Sequence, residues 1–288
     1  MRLSDRQFGL LLLLPALLLI SMFIIYPAIL ALDLSLESVD LATGARTFQG
    51  TRNYDSLFHD AEFWSSWVNT LFFTSVAVSL ELVIGLCLAL MLNTQFRGRS
   101  IFRALLTLPL MVAPVVIGLQ WRWLLMDPTG PVNSIIRDLG FVGPSWLGDP
   151  LVAMWSIIIA DLWQATPFDF LVMLAALQGV PQDQYEAAAL DGAGSLRVFR
   201  HITLPHLVPS ILVVLLIRSM DAFRIFDIVY IMTGGGPAGA TNTVAVYIYR
   251  RFSFLDFGRS SAASFIVLLT IVAVGLFLIR IFPRETQR

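Results

Sequence analysis

Along this chain, long apolar runs alternate with shorter polar segments, and the runs are longer than the core of a soluble domain can use. A helix needs about 20 apolar residues to cross the hydrocarbon core of a bilayer. Runs of that order lie near Phe8–Leu32, Trp67–Leu92, Ala104–Met126, Leu151–Leu177, Leu207–Met232 and Ser261–Ile281. The pattern predicts an all-α integral membrane protein with six transmembrane helices. It divides into a first helix with its outer loop (1–66) and a five-helix remainder (67–288) that carries one long inner loop, 178–206. The first run follows Arg2 and Arg6 as a signal peptide's would. It outruns an h-region and ends at no small-x-small cleavage site, so it is read as a retained helix.

The polar segments differ in kind. Residues 33–66 hold Gly44, Gly50, Asn53 and Asp55 and read as a polar loop with a short helix near Asn53–Phe58. Residues 127–150 carry Pro128, Gly130, Pro131, Gly143, Pro144, Gly148 and Pro150, which marks a turn-rich loop. Trp64, Trp67, Trp121, Trp123, Trp146 and Trp155 fall near one predicted boundary, as an interfacial aromatic belt does. Arginine sets the orientation. Arg97, Arg99 and Arg103 crowd one short loop without an acid, which places that loop and both termini in the cytoplasm.

Composition agrees and excludes alternatives. Hydrophobic residues make up 57% and charged residues 14%, against about 25% charged in soluble domains. The net charge of −1 gives no basic patch for nucleic acid. The one cysteine, Cys87, permits no intrachain disulfide and reads as a small packing residue. All 19 basic residues are arginine. Without lysine the chain has no phosphate-binding P-loop and no Schiff-base amine. Any ATP that drives it is bound by another chain.

The inner loop reads QGVPQDQYEAAALDGAGSLRVFRHITLP. Pro181 suits a helix start, and Gln182–Leu190 is rich in helix formers. Gly192 and Gly194 break the pattern and permit positive φ or close approach. Ser195 is placed to cap a second short helix reaching about Arg200. The expected product is a helix–turn–helix with small alanines at its tip.

This loop resembles the EAA loop of ATP-binding-cassette (ABC) importer permeases: Glu186-Ala187-Ala188, then Gly192, then Ile202-Thr203-Leu204-Pro205, at every spacing. The resemblance continues through Arg52-Asn53-Tyr54, Asn69-Thr70, Trp163…Thr166-Pro167-Phe168, Asp221-Ala222-Phe223-Arg224-Ile225-Phe226-Asp227 and Thr233-Gly234-Gly235-Gly236-Pro237. It is similar to the carbohydrate-uptake subfamily, in the compact six-span form without extra N-terminal spans or a large periplasmic insertion. The resemblance implies the type I importer permease fold in a bacterial inner membrane. The implied partners are a second permease, two ABC ATPases that hold ATP and Mg2+, an extracytoplasmic solute-binding protein, membrane lipid and a sugar-like solute. It also implies a coupling helix seated on the ATPase through Glu186, Ala187, Gly192, Ser195, Arg197, Arg200 and His201.

Ionisable residues within spans are costly and mark function by default. In the fifth run Arg218, Asp221, Arg224 and Asp227 stand three apart with alternating sign, neighbours on one helix surface. Such a ladder neutralises itself, with Asp221 near the middle of the run. In the fourth run Asp161, Gln164 and Phe168 share one face, combining a carboxylate, an amide and a ring. The candidate substrate pathway is therefore Asp161, Gln164, Phe168, Arg218, Asp221 and Arg224. Packing ion pairs are the open alternative. Asp169 points away from that face as an ion-pair partner, Asp227 is expected to meet water, and Glu81 lacks an evident partner short of an arginine on another helix. His201 and His206 lack metal spacing and read as interface or backbone-bonding groups. No catalytic pair is visible, so an intramembrane enzyme is disfavoured. A non-sugar importer subunit for polyamines or oxyanions is the alternative to a sugar permease.

Overall fold

The computed structural model describes residues 5–40 and 43–281; both extreme termini, whose cytoplasmic placement the arginines predict, lie outside it. The first apolar run is one continuous helix, α1 (Asp5–Ile20), a π-helical turn at Ser21–Ile25 and α2 (Tyr26–Ser35). A small antiparallel hairpin follows, β1 (Glu37–Val39) and β2 (Arg46–Phe48), with Glu37 opposite Phe48 and Val39 opposite Arg46. The polar pattern predicted only loop here. α3 (Arg52–Phe58) is the expected short helix, and α4 (Ala61–Asn93) begins ahead of its apolar run.

The third run departs from a straight span. It is α5 (Arg99–Thr107), a 3-10 turn at Leu108–Met111 and α6 (Pro114–Leu124), bent by 100°. Pro109 and Pro114 supply no N–H, and a residue before proline is driven out of the helical region. Ala113, before Pro114, is accordingly extended at ψ 139°, and Val112 ahead of it is extended too, at ψ 134°. After α7 (Pro131–Asp138), the fourth run is α8 (Pro150–Gln178). Asp149 caps it by accepting from Leu151 N at 2.8 Å, and Pro150 occupies the first helical position.

The inner loop forms α9 (Gln182–Leu190) and α10 (Ser195–Val198), then a π-helical turn at Phe199–Thr203 leading into α11 (Leu204–Phe223). The fifth run is interrupted at Arg224–Phe226 and resumes as α12 (Asp227–Met232). Thr243 Oγ1 donates to the Ile225 carbonyl at the break, at 3.2 Å. α13 (Val244–Ser253) and α14 (Phe257–Ile281) complete the described chain. Five described helices are long and apolar enough to cross a membrane, or six when the bent α5–α6 pair is one span.

The chain divides into two compact units. The first joins described residues up to 64 with 247–270. Its centre is Asp60, which accepts from Tyr247 Oη at 2.7 Å and Arg251 Nη2 at 2.8 Å, with Phe63 packed on the Tyr247 ring. Asn53 Nδ2 donates to the Ser35 and Glu37 carbonyls, both at 2.9 Å, holding α3 to the preceding hairpin. Burial pushes the Asp60 carboxyl up, but the Tyr247 hydrogen bond, backbone N–H groups and the Arg251 charge outweigh it and hold it below its ordinary range. Burial and the bond to Asp60 push the Tyr247 phenol above its ordinary value.

The second unit, 65–246 with 271–281, contains the apolar core. One cluster gathers Phe73, Ile117, Ile157, Ile228 and Val229; the other gathers Leu92, Phe170, Met173, Leu177 and Leu207. α4 and α8 approach so closely at Gly85 that a Cβ there would lie 2.7 Å from Asp169 Cβ and 3.0 Å from Phe170 N. Cys87 is exposed on α4, so it is not the packing residue that its apolar run implied.

Candidate functional site

Two places in the second unit concentrate chemistry: the α9–α10 loop and a cavity beside α8, α11 and α12. The loop is built by local bonds. After Leu190, Gly192 N bonds Ala189 O at 3.1 Å and Ala193 N bonds Ala188 O at 2.9 Å. With Gly192 at φ +67°, this is a Schellman ending, for which glycine carries no Cβ penalty. Gly194 is extended (φ −68°, ψ 158°), and it is Gly194, not Ser195, that caps α10. Its carbonyl accepts from Arg197 N and Val198 N, and Ser195 is the first helical residue without a side-chain cap bond. Tyr185 Oη meets Thr203 Oγ1 at 3.1 Å, fastening α9 to the turn before α11. His201 Nδ1 lies 3.0 Å from Arg197 O and His206 Nδ1 2.7 Å from Ile202 O, the backbone-bonding role expected of them.

Glu186, Ala187, Gly192, Ser195, Arg197, Arg200 and His201 are all exposed on this loop. Leu190 and Leu196, 90% and 78% exposed, flank the turn. The motif did not single out these two apolar side chains; their position either side of Gly192 was the available signal.

The cavity has a volume of about 500 Å³. Asp161, Gln164, Phe168, Arg218, Asp221 and Arg224, the six residues of the predicted pathway, all line it. The charge ladder of the fifth run does not form as expected. Arg218 turns to other helices, with Nε 2.8 Å from Glu81 Oε2, and Nη2 2.9 Å from Glu81 Oε1 and 3.1 Å from Asp161 Oδ2. These three side chains are 10% exposed or less. Only Asp221 and Arg224 pair along the helix, at 2.7 Å, and both are exposed. Asp221 lies in the last turn of α11, and Asp227 opens α12 and lines the cavity.

Glu81 thus has the arginine partner on another helix that its isolation in sequence required. Gln164 Nε2 donates 3.2 Å to the Val112 carbonyl, a group left by the proline break between α5 and α6. Asp169 is fully buried, and neither carboxylate oxygen has a hydrogen-bond partner or an ion pair among the described residues. The ion-pair role expected of it is not observed. Its Cβ sits against Gly85 of α4. Among the described residues, no group of three or more histidines, cysteines and acids is arranged to hold a metal ion.

Several apolar spans, a cavity walled by polar groups from separate helices, and an exposed, locally hydrogen-bonded loop between spans describe a membrane permease. Residues 81–287 match the family described as binding-protein-dependent transport system inner membrane component. The chain is 37% identical over 277 residues to the trehalose/maltose transport system permease protein of Thermococcus litoralis, covering 96% of this chain and 94% of that one. It is 40% identical over 283 residues to the sulfoquinovosyl glycerol transport system permease protein of Agrobacterium fabrum, covering 96% and 92%. The fold matches a crystal structure of a bacterial ABC transporter that imports the acidic polysaccharide alginate, at a TM-score of 0.85, 24% identity and 98% coverage of both chains. The chain belongs to the family of binding-protein-dependent transport system inner membrane components, as an ABC importer permease subunit of the type I fold. It is a transport subunit and not an enzyme.

Proposed function

We propose that this chain forms, with a second permease, the path of a sugar or sugar derivative across a bacterial inner membrane. An extracytoplasmic solute-binding protein delivers the solute, and two ATPase subunits hold the ATP and Mg2+ that this lysine-free chain has no P-loop to bind. The observation that supports this reading best is that one face of α8, carrying Asp161, Gln164 and Phe168, and Arg218 of α11 line one cavity. A sugar presents many hydroxyls, and such a wall meets them with carboxylate and amide acceptors beside an aromatic ring.

In this reading the ATPase receives the α9–α10 loop in a cleft. Glu186, Ala187, Gly192, Ser195, Arg197, Arg200 and His201 make the contact, with Leu190 and Leu196 as its apolar anchors. ATP moves the equilibrium between inward- and outward-facing states only through its different affinities for the two. The test is Gly192→Val in the reconstituted importer. A β-branched residue at φ +67° breaks the turn. Membrane insertion is expected to persist while solute-stimulated ATP hydrolysis is lost; unchanged stimulation would count against the docking assignment.

A further inference from the structure

We propose that a groove between α4, α5 and α8 holds an acyl chain of an anionic phospholipid whose phosphate meets Arg97, Arg99 and Arg103. This goes beyond the solute reading and does not rest on it. Ile84 and Leu88 of α4, Leu105 and Leu106 of α5, and Leu162 and Phe170 of α8 wall a second cavity of about 310 Å³. No charged side chain lines it, so a polar solute would find little there to replace its water. Leu162 to Phe170 covers about 12 Å along α8 at about 1.5 Å per residue. One leaflet supplies about 15 Å of hydrocarbon, half of the bilayer core. The groove therefore suits the chain of a single leaflet.

The mouth of the groove is basic. Leu92 stands one turn beyond Leu88 on α4, and Arg103 stands one turn before Leu106 on α5. Arg103 Nη2 donates to the Leu92 carbonyl at 2.6 Å, which puts its guanidinium at the end of the groove. Its Nε has no hydrogen-bond partner among the described residues. Arg99 lies on the same face of α5 as Arg103 and Leu106, at i, i+4 and i+7. Arg97, just ahead of α5, is exposed. None of the three arginines forms an ion pair among the described residues. No acid lies between Glu81 and Asp127 in the chain.

Three neighbouring cations repel one another until an anion joins them. Guanidinium groups hold phosphate through paired N–H bonds, and basic sites between spans on the cytoplasmic side take anionic headgroups in this way. The arginine rule puts this loop on that side. Orientation alone asks for positive charge on one side of the membrane and for no groove beside it. An apolar helix laid over the groove would cover its wall but bring no anion to the arginines; a phospholipid does both.

The assembled importer in proteoliposomes tests the site. It is reconstituted with a trace of phosphatidylglycerol carrying a photoreactive acyl chain, or of phosphatidylcholine carrying the same chain, and the labelled peptides are identified by mass. Phosphatidylglycerol is expected to label 84–88, 105–109 and 162–170 about tenfold more than phosphatidylcholine, relative to the rest of the chain, since each arginine at the surface favours an anionic lipid by about fivefold. Arg97→Gln with Arg99→Gln leaves the Arg103–Leu92 bond in place and is expected to lower that ratio severalfold. Leu105→Trp fills the groove and is expected to lower its labelling by both lipids.

Equal labelling by the two lipids, or a ratio indifferent to the arginine pair, overturns the headgroup assignment. Groove labelling unchanged by Leu105→Trp overturns the acyl-chain assignment. No labelling of the groove by either lipid, in a chain labelled elsewhere, overturns the lipid site and shows the groove covered by a helix of the second permease.

Discussion

The α9–α10 loop and the cavity are built by opposite means. The bonds to backbone carbonyls that shape the loop join residues a few positions apart: Gly192 to Ala189, Ala193 to Ala188, His201 to Arg197. Even its longest tie, Tyr185 to Thr203, spans 18 residues. The cavity depends on contacts between helices distant in the chain, Arg218 to Glu81 across 137 residues and to Asp161 across 57. A loop of local bonds keeps its shape when the bundle moves around it. A cavity of long-range bonds changes when the helices do. A machine that receives a push at one place and opens a path at another requires that difference.

The contrast is sharpest in stability. Arg218→Met leaves Glu81 and Asp161 buried without their cation, and breaking a buried pair from one side costs about 3–5 kcal/mol. Its thermal unfolding midpoint in detergent is expected to fall steeply. Arg200→Ala, on the exposed loop, is expected to stay within about 0.5 kcal/mol of the parent. Equal shifts would erase the distinction.

Next in size is the Asp60–Tyr247–Arg251 cluster of the other unit, a long-range site outside the spans. Tyr247→Phe removes a hydrogen bond to a carboxylate, an effect of about 1.5–3 kcal/mol. Because the folded Asp60 carboxyl is held below its ordinary value, its contribution is present above about pH 3.9 and fades as pH falls through the lower folded value. Losing the Tyr247 bond raises that folded value. The variant is therefore expected to lose this contribution at a higher pH than the parent, read from unfolding midpoints across an acid series.

The smallest effect belongs to Arg224→Ala. Its pair with Asp221 is exposed on both sides, so stability is expected to change by about 0.5 kcal/mol or less. Solute uptake is expected to change more than stability does, because the side chain lines the cavity. A large loss of stability would show that the pair is structural.

The same contrast decides what was legible before the structure. The loop could be read almost residue by residue because its determinants are contiguous; the error there, Ser195 as cap, was a single-position slip. The spans were legible as apolar runs, but hydropathy carries no direction, so the 100° turn at Pro109–Pro114 read as one straight helix. The fifth-span ladder departs from its sequence pattern for a related reason. Intrahelical spacing shows which charges can meet on one helix and is blind to Glu81, a better bidentate partner for Arg218 on another. The hairpin at 37–48 was missed because strands of three residues are too short for alternation to register. The face of Asp161, Gln164 and Phe168 was legible because helical periodicity alone defines it.

In the proposed function, drive and passage reside in separate parts of one chain. The most direct test measures solute uptake and solute-stimulated ATP hydrolysis in the same proteoliposomes, for the importer carrying Gln164→Ala with Phe168→Ala. The expected result is uptake reduced tenfold or more, with hydrolysis still stimulated through an intact loop. Uptake at the parent rate would contradict the assignment of the cavity as the path.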